Sequence, residues 1–428
     1  MKIFNLIRIC KFILGISIIF NFGNYIAMAK VYKFDELMEM AKKNNILGEI
    51  NKAKVLELDA QIKNTNSEFY PKINAVFGGE KVDSQSEPEI SNNNFVAELR
   101  LKYNLYSFGA TANKIDALKS LRSEQVKISS YSEAYLRREL KKQYYQALYY
   151  KKVLDIIEDE LKFNKTLRSQ VKRRFNQGLV GNADVLEISM RDATLKDKKL
   201  QFQEMFQHTK DNIRKLTLID HDTVIELVDE IKHEHFHVDI KELIKAAEKQ
   251  NLDISRSNNR VRSLNFKLAE AKSRSLPKVY LAGRYGKMRY DEKYTEDSLE
   301  GLVGVYVDIP LFDGGAKTAK VSSEKAKLVQ EKLNLTKLNK ALEIDVLHHN
   351  EKMENIHRQV DLAEENVKSA KKYFNNVMSE YKRGVKNSLD LVSARDRLMN
   401  FEKDLILAKK EFLFAKLDLE EVSGVKFN

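Results

Sequence analysis

The chain carries its own sequence twice. Pro71-Lys72 returns as Pro277-Lys278, a shift of 206 residues. The same shift takes Ala41 to Ala247, Asn45 to Asn251, Leu105 to Leu311, Gly109-Ala110 to Gly315-Ala316, Lys114 to Lys320, Gly178 to Gly384 and Asp184 to Asp390. One constant offset along the chain means two copies of one structural unit with almost no insertions between them. Any fold must then be assembled from two equivalent halves. Repeat 1 is read as residues 30–230, a linker as 231–239 and repeat 2 as 240–428.

Each unit opens with a helical stretch, Asp35 to Ser67 in the first copy, which stops before Pro71. A proline disfavours helical geometry in the residue ahead of it. A hairpin follows, about 72–106 in repeat 1 and 278–312 in repeat 2. In its second run Phe95, Ala97, Leu99, Leu101, Tyr103 and Leu105 alternate with Val96, Glu98, Arg100, Lys102 and Asn104. That period of two describes a strand with one apolar and one mostly polar face. The copy keeps the parity, with Val303, Val305, Val307, Ile309 and Leu311 alternating with Gly304, Tyr306, Asp308 and Pro310. Polar loops, Asp83 to Asn94 and Asp291 to Glu300, separate the two runs of each hairpin.

A very long helix comes next, about 110–176 and 316–382. Leu136, Gln143, Tyr150 and Ile157 form one heptad line, and Leu140, Ala147, Leu154 and Leu161 the other. Their copies are Leu342, His349, Ile356 and Ala363 with Val346, Met353, Val360 and Val367. Sustained heptads mean coiled-coil packing. At 1.5 Å per residue such a helix runs roughly 100 Å. A glycine turn at Gly178 or Gly384 sends the chain back through a helix of about half that length, 183–216 in the first copy. Laid end to end, the two shorter helices of a repeat match the long one.

Composition narrows the class. Four prolines, sixteen glycines and 32% charged residues in 428 positions suit long helices. Lys2, Arg8 and Lys11, an apolar run from Phe12 to Phe20, and Ala27-Met28-Ala29 read as an export signal over residues 1–29. The run falls short of the roughly 20 residues that span a bilayer. The single cysteine, Cys10, lies ahead of it, where no lipobox cysteine would stand. Cleavage leaves a cysteine-free chain of net charge about +9, suited to an oxidising compartment. No basic patch is interleaved with aromatics, so nucleic acid is not an expected partner.

Two hairpins give four strands per chain. Four strands cannot close a barrel, and lipid does not tolerate an open edge. A strand with one apolar and one polar face wants lipid outside and water inside. Several copies must then combine, and three would give twelve strands. The corner segments Leu105-Tyr106-Ser107-Phe108-Gly109-Ala110 and Pro310-Leu311-Phe312-Asp313-Gly314-Gly315 resemble those of the TolC family. So do the helical turns Arg174-Phe175-Asn176-Gln177-Gly178-Leu179-Val180-Gly181-Asn182-Ala183-Asp184-Val185 and Tyr381-Lys382-Arg383-Gly384-Val385-Lys386-Asn387-Ser388-Leu389-Asp390-Leu391. The resemblance covers nearly all of the chain beyond the signal. It implies a mainly α fold with a small β part, in which a homotrimer forms a 12-strand β-barrel continued by a long α-helical coiled-coil tunnel. It further implies a passive exit duct in the outer membrane of a Gram-negative bacterium. That duct would serve a tripartite efflux pump or type I secretion system, contacting outer-membrane lipid, a periplasmic adaptor protein and an inner-membrane pump.

By the same resemblance Gly178 and Gly384 shape the tip where adaptors dock, and Tyr381, Lys386, Asp390 and Asp184 belong to the gate. Asp184 is expected to link to Tyr381 or Lys386, and Asp390 to ring the lumen. Ser393 stands where the family often has a second ring aspartate. Gly109, Gly314 and Gly315 mark the strand–helix corners. A soluble periplasmic coiled-coil scaffold or adaptor is the competing reading, although adaptors usually carry one hairpin and no such duplication.

Enzymatic readings find no support. No Ser/His/Asp arrangement stands out, and Gly78-Gly79 and Gly314-Gly315 lack the Gly-Lys-Ser or Gly-Lys-Thr that a phosphate loop needs. No cofactor is expected. His233, His235 and His237 could share one strand face and hold a metal, but a solvated linker is the preferred reading and no metal is expected. The chain has no tryptophan, so Tyr70, Phe77, Phe95, Tyr103, Tyr280, Tyr285, Tyr290, Tyr294 and Tyr306 would have to form any interfacial girdle.

Overall fold

The computed structural model describes residues 30–81, 93–220, 225–227, 229–232, 238–287 and 299–427. The export signal, most of both hairpin loops and His233, His235 and His237 lie outside the described residues. Repeat 1 comprises β1 (Lys30–Tyr32), α1 (Phe34–Lys43), α2 (Ile46–Asn66), β2 (Lys72–Lys81), β3 (Asn93–Tyr106), α3 (Ala110–Asn176) and α4 (Asn182–Thr217). A short strand, β4 (Ile225–Leu227), follows at the end of repeat 1. Repeat 2 comprises α5 (Ile240–Gln250), α6 (Leu252–Ser273), β5 (Lys278–Lys287), β6 (Glu300–Asp308), α7 (Ala316–Lys382) and α8 (Ser388–Ser423).

Four local results differ from the sequence reading. The opening helix is two helices, not one, broken at Asn44 and Asn45. The Asn45 side chain caps α2 by accepting from the Gly48 amide at 2.9 Å, a bond that competes with helix continuation. Asn251 does the same for α6, accepting from Ile254 at 3.1 Å. The last strand ends at Asp308, leaving Ile309 and Leu311 outside it. Its partner strand begins only after Pro277, with Lys278 facing Asp308. The end of repeat 1, just ahead of the linker, forms a strand that was not expected, because β4 pairs in parallel with β1. Both strands pack on α3, where Tyr144 donates to Asp229 at 2.5 Å and Lys151 to the Leu227 carbonyl at 2.6 Å.

The fourth difference concerns the heptads. In α7 the expected seam holds, with Leu342, Val346, Met353, Ile356 and Val360 buried and Val377 and Tyr381 continuing the same phase. In α3 the second line begins with Leu140 and Ala147 but then moves by one residue, to Val153, Glu160 and Leu167. A straight α-helix drifts about 20° per heptad, so a stripe facing one neighbour must eventually change phase.

Upper and lower halves share one lateral order. Above, α2, α3, α6 and α7 lie side by side. Below, α4 packs on α3, α3 on α8 and α8 on α7. The short helices meet end to end, as their lengths suggest. Asn44 donates to the carbonyl of Thr217, at the end of α4, at 2.9 Å. Asn251 donates to that of Val422, near the end of α8, at 3.0 Å.

The four hairpin strands form one sheet in the order β2-β3-β5-β6, so the two hairpins join through β3 and β5. Registers place Ile73, Ala75 and Phe77 on one face with Leu101, Leu99 and Ala97, and continue it through Gly283 and Tyr285 to Val303, Val305 and Val307. Phe77, Val303 and Val305 are among the most exposed apolar residues of the chain. The opposite face carries Lys72, Glu98, Arg100, Lys102 and Arg284.

Candidate functional site

The tip is built from two turns of the same design. Gly178 has φ +71° and Gly384 φ +81°, the left-handed region that side chains resist. A Cβ at either would meet open space, so conformation rather than room selects glycine. Leu179 donates its amide to Arg174 at 2.9 Å, and Val385 to Glu380 at 3.0 Å, which satisfies carbonyls left open at each helix end. The side chains of Leu179 and Val385 are 64% and 70% exposed, so each turn presents an apolar residue at its apex.

The two turns are not equally braced. Asn387 and Asp390 form a reciprocal capping box at the start of α8, with Asp390 donating its amide to Asn387 at 2.8 Å. At the matching place in repeat 1, Gly181 offers no side chain. Lys386 reaches Asp390 at 4.0 Å, across an exposed gap. Asp184 accepts from Ser388 at 3.0 Å, rather than from Tyr381 or Lys386, and so bridges the two hairpins within the chain. Tyr381 is buried, and the Arg174 guanidinium lies 5.5 Å over its ring. The expected tip residues are therefore neighbours, in a pairing pattern other than the one expected.

Above them sits a cluster that the sequence reading missed. Glu160 and Asn164 of α3 are fully buried. Arg191 of α4 donates to Glu160 at 2.8 Å, to Asn164 at 3.2 Å and to Asp396 of α8 at 2.7 Å. Arg395 reaches the other Glu160 oxygen at 2.5 Å, with Phe163 and Phe374 within 5.5 Å of its guanidinium. Burial pushes the Glu160 carboxyl upward from its ordinary value, while Arg191 and Arg395 hold it back. A signal was available: Glu160 and Asn164 interrupt the apolar series Val153, Ile157, Leu167 and Val171 at seam positions.

The strand–helix corners also turn on positive φ. Gly109 (φ +79°) and Gly315 (φ +87°) begin the long helices. Asp313 accepts from the amides of Gly315 and Lys317 at 3.1 and 3.0 Å. Leu311 and Phe312 are more than nine-tenths exposed beside this corner. No helix of the described residues is long and apolar enough to cross a membrane, and no group of three or more metal-binding side chains occurs among them.

The profile of the family described as "Outer membrane efflux protein" matches residues 50–217 and 243–425, one stretch in each repeat. The chain belongs to that family. It is an outer-membrane efflux channel of the TolC family with a large periplasmic helical part, a transporter and not an enzyme. Outer membrane protein TolC of Vibrio cholerae is 23% identical over 372 residues, covering 85% of this chain and 84% of the relative. The fold matches the CmeC outer membrane channel of Campylobacter jejuni with a TM-score of 0.81 at 16% identity, over 91% of this chain and 85% of that one. It matches the outer membrane protein VceC of Vibrio cholerae at 0.79 and 16%, over 92% and 97%. In this efflux channel the sheet and the tip turns lie at opposite ends of the long helices.

Proposed function

We propose that three copies join edge to edge, β2 of one against β6 of the next, closing twelve strands into a passive duct. The observation that carries this is the four-stranded sheet itself. Its outer strands each have one unpaired edge and it turns an apolar face outward. Such an edge is not tolerated in lipid, and closure removes it. The tip then forms the entrance. The paired apolar apices Leu179 and Val385 suit docking of a periplasmic adaptor, through which an inner-membrane pump delivers cargo. The single part-buried Asp184–Ser388 hydrogen bond and the exposed Lys386–Asp390 pair, the latter contributing only about 0–1 kcal/mol, act as a weak latch.

Closure is tested with cysteines placed along β2 and β6 on one face of the sheet, scanning from Ile73 and Val305, in the mature chain. Oxidation is expected to give a ladder ending at three linked chains; linkage stopping at two would overturn the trimer. The latch is tested by single-channel recording in planar bilayers. Asp184→Ala and Lys386→Ala are each expected to raise leak conductance, and leak equal to that of the parent would remove these residues from the gate.

A further inference from the structure

The polar face of the sheet holds an arrangement that efflux as such does not require. Arg100 and Arg284 stand directly opposite each other on β3 and β5. Like charges in that relation repel. They are held by one carboxylate. Arg284 donates to both oxygens of Glu98, at 2.8 and 2.9 Å, and Arg100 reaches the same group at 2.5 Å. The Glu98 side chain has no exposure at all, whereas those of Arg100 and Arg284 are 50% and 41% exposed. The carboxylate is thus covered by its two partners, and the guanidinium groups are what solvent meets.

The neighbouring register level adds to this. Lys72 pairs with Lys102 across β2 and β3, one step along the same face. The Lys102 ammonium lies 5.1 Å over the Tyr280 ring, and Tyr280 stacks on Tyr306 at 5.5 Å. Across three successive levels the polar face carries four cations, Lys72, Arg100, Lys102 and Arg284. The acidic residues at these register positions are Glu98 and Glu300. The excess is two positive charges per chain, concentrated within about three residue pairs of strand.

We infer that this face forms a cationic belt inside the barrel that favours anionic solutes at the exit. The inference rests on the barrel closure proposed above, which repeats the excess around the lumen. A narrow passage with low-dielectric walls focuses such a field and raises the local concentration of counter-ions. Exposed guanidinium groups also bind carboxylate and phosphate in a forked geometry, so anionic or anion-headed cargo fits best. Glu98 is a positioning residue here: it aligns the two arginines without being reachable itself. The tyrosine stack beside Lys102 supplies a flat apolar surface for the body of an amphiphilic anion.

The test is the reversal potential of the mature protein in a planar bilayer across a KCl gradient. The parent channel is expected to prefer chloride over potassium. Lys102→Glu changes the belt by two charges per chain at a residue that holds no ion pair among the described residues, so folding should survive. It is expected to move the reversal potential toward the potassium side, and Arg100→Gln to move it the same way by less. Discrete steps with a potassium preference in the parent, or a reversal potential unmoved by Lys102→Glu, would overturn the belt while leaving the duct intact. Absence of any steps would overturn the closure on which it rests.

Discussion

Arg191→Ala is expected to loosen the lower half of the helical layer and to cost about 3 kcal/mol, the low end for breaking a buried ion pair by removing one partner. Arg191 joins three helices: Glu160 and Asn164 on α3, its own α4, and Asp396 on α8. Its loss leaves Glu160, which has no exposure, with Arg395 as its cationic partner in the cluster. The carboxyl already sits above its ordinary value through burial, and losing one guanidinium raises it further. A carboxyl whose folded pKa exceeds its unfolded value contributes stability that is present below the unfolded pKa and lost as pH rises through the folded one. The defect should accordingly be smaller in mildly acidic buffer than in alkaline buffer. Hydrogen exchange of the α3–α4 and α7–α8 tips, recorded at both pH values, reads this directly. Protection equal to the parent at both would show that the cluster does not tie the hairpins together. Replacing Arg191, Glu160, Arg395 and Asp396 together by apolar residues of similar volume should restore most of the protection, because a well-packed apolar cluster can substitute for a buried ionic one only when no charged member is left behind.

Gly286→Ala is expected to disrupt the joint between the two repeats in the sheet. Gly286 has φ +147° and faces Glu98 across the β3–β5 pair. A Cβ there would lie 2.2 Å from the Ala97 carbonyl oxygen and 2.6 Å from the Glu98 Cα. Both are backbone atoms, which no rotamer change can move. Backbone strain alone costs on the order of 1–3 kcal/mol, and the clash adds to it. The strands must separate at the pairing that joins hairpin to hairpin, so, on the closure proposed above, loss of an assembled, detergent-resistant oligomer is the expected result. The control is Gly79→Ala, at an open position where a Cβ meets nothing within 4 Å. Equal assembly of the two variants would show that the β3–β5 joint tolerates the added carbon.

Much of this protein was legible in its residues because the signals are local. The 206-residue offset recurs in the structure, where α3 and α7 begin at Ala110 and Ala316 and α4 and α8 at Asn182 and Ser388. Helix starts and turns could be placed because Gly109, Gly315, Gly178 and Gly384 each meet a backbone requirement of their own few residues. The strand faces were readable from alternation, since parity along a strand decides which side a residue takes. The break at Asn44 and Asn45 is also a local event, but helical periodicity on either side masked it.

What tertiary structure alone decided is which polar residue lies opposite which. Glu160 and Arg191 are 31 positions apart, and Arg191 and Asp396 are 205 apart. Nothing near either residue in the chain says that they meet, and the repeat offset does not predict it, because repeat 2 has Asn366 where repeat 1 has Glu160. The same holds for Glu98 between two arginines of different repeats, and for β4 finding β1. Backbone conformation answers to neighbours within a turn or two, so sequence determines the repeat, its elements and their ends. Burial and charge pairing depend on which helix or strand stands across the gap, and only packing of the two repeats against each other sets that.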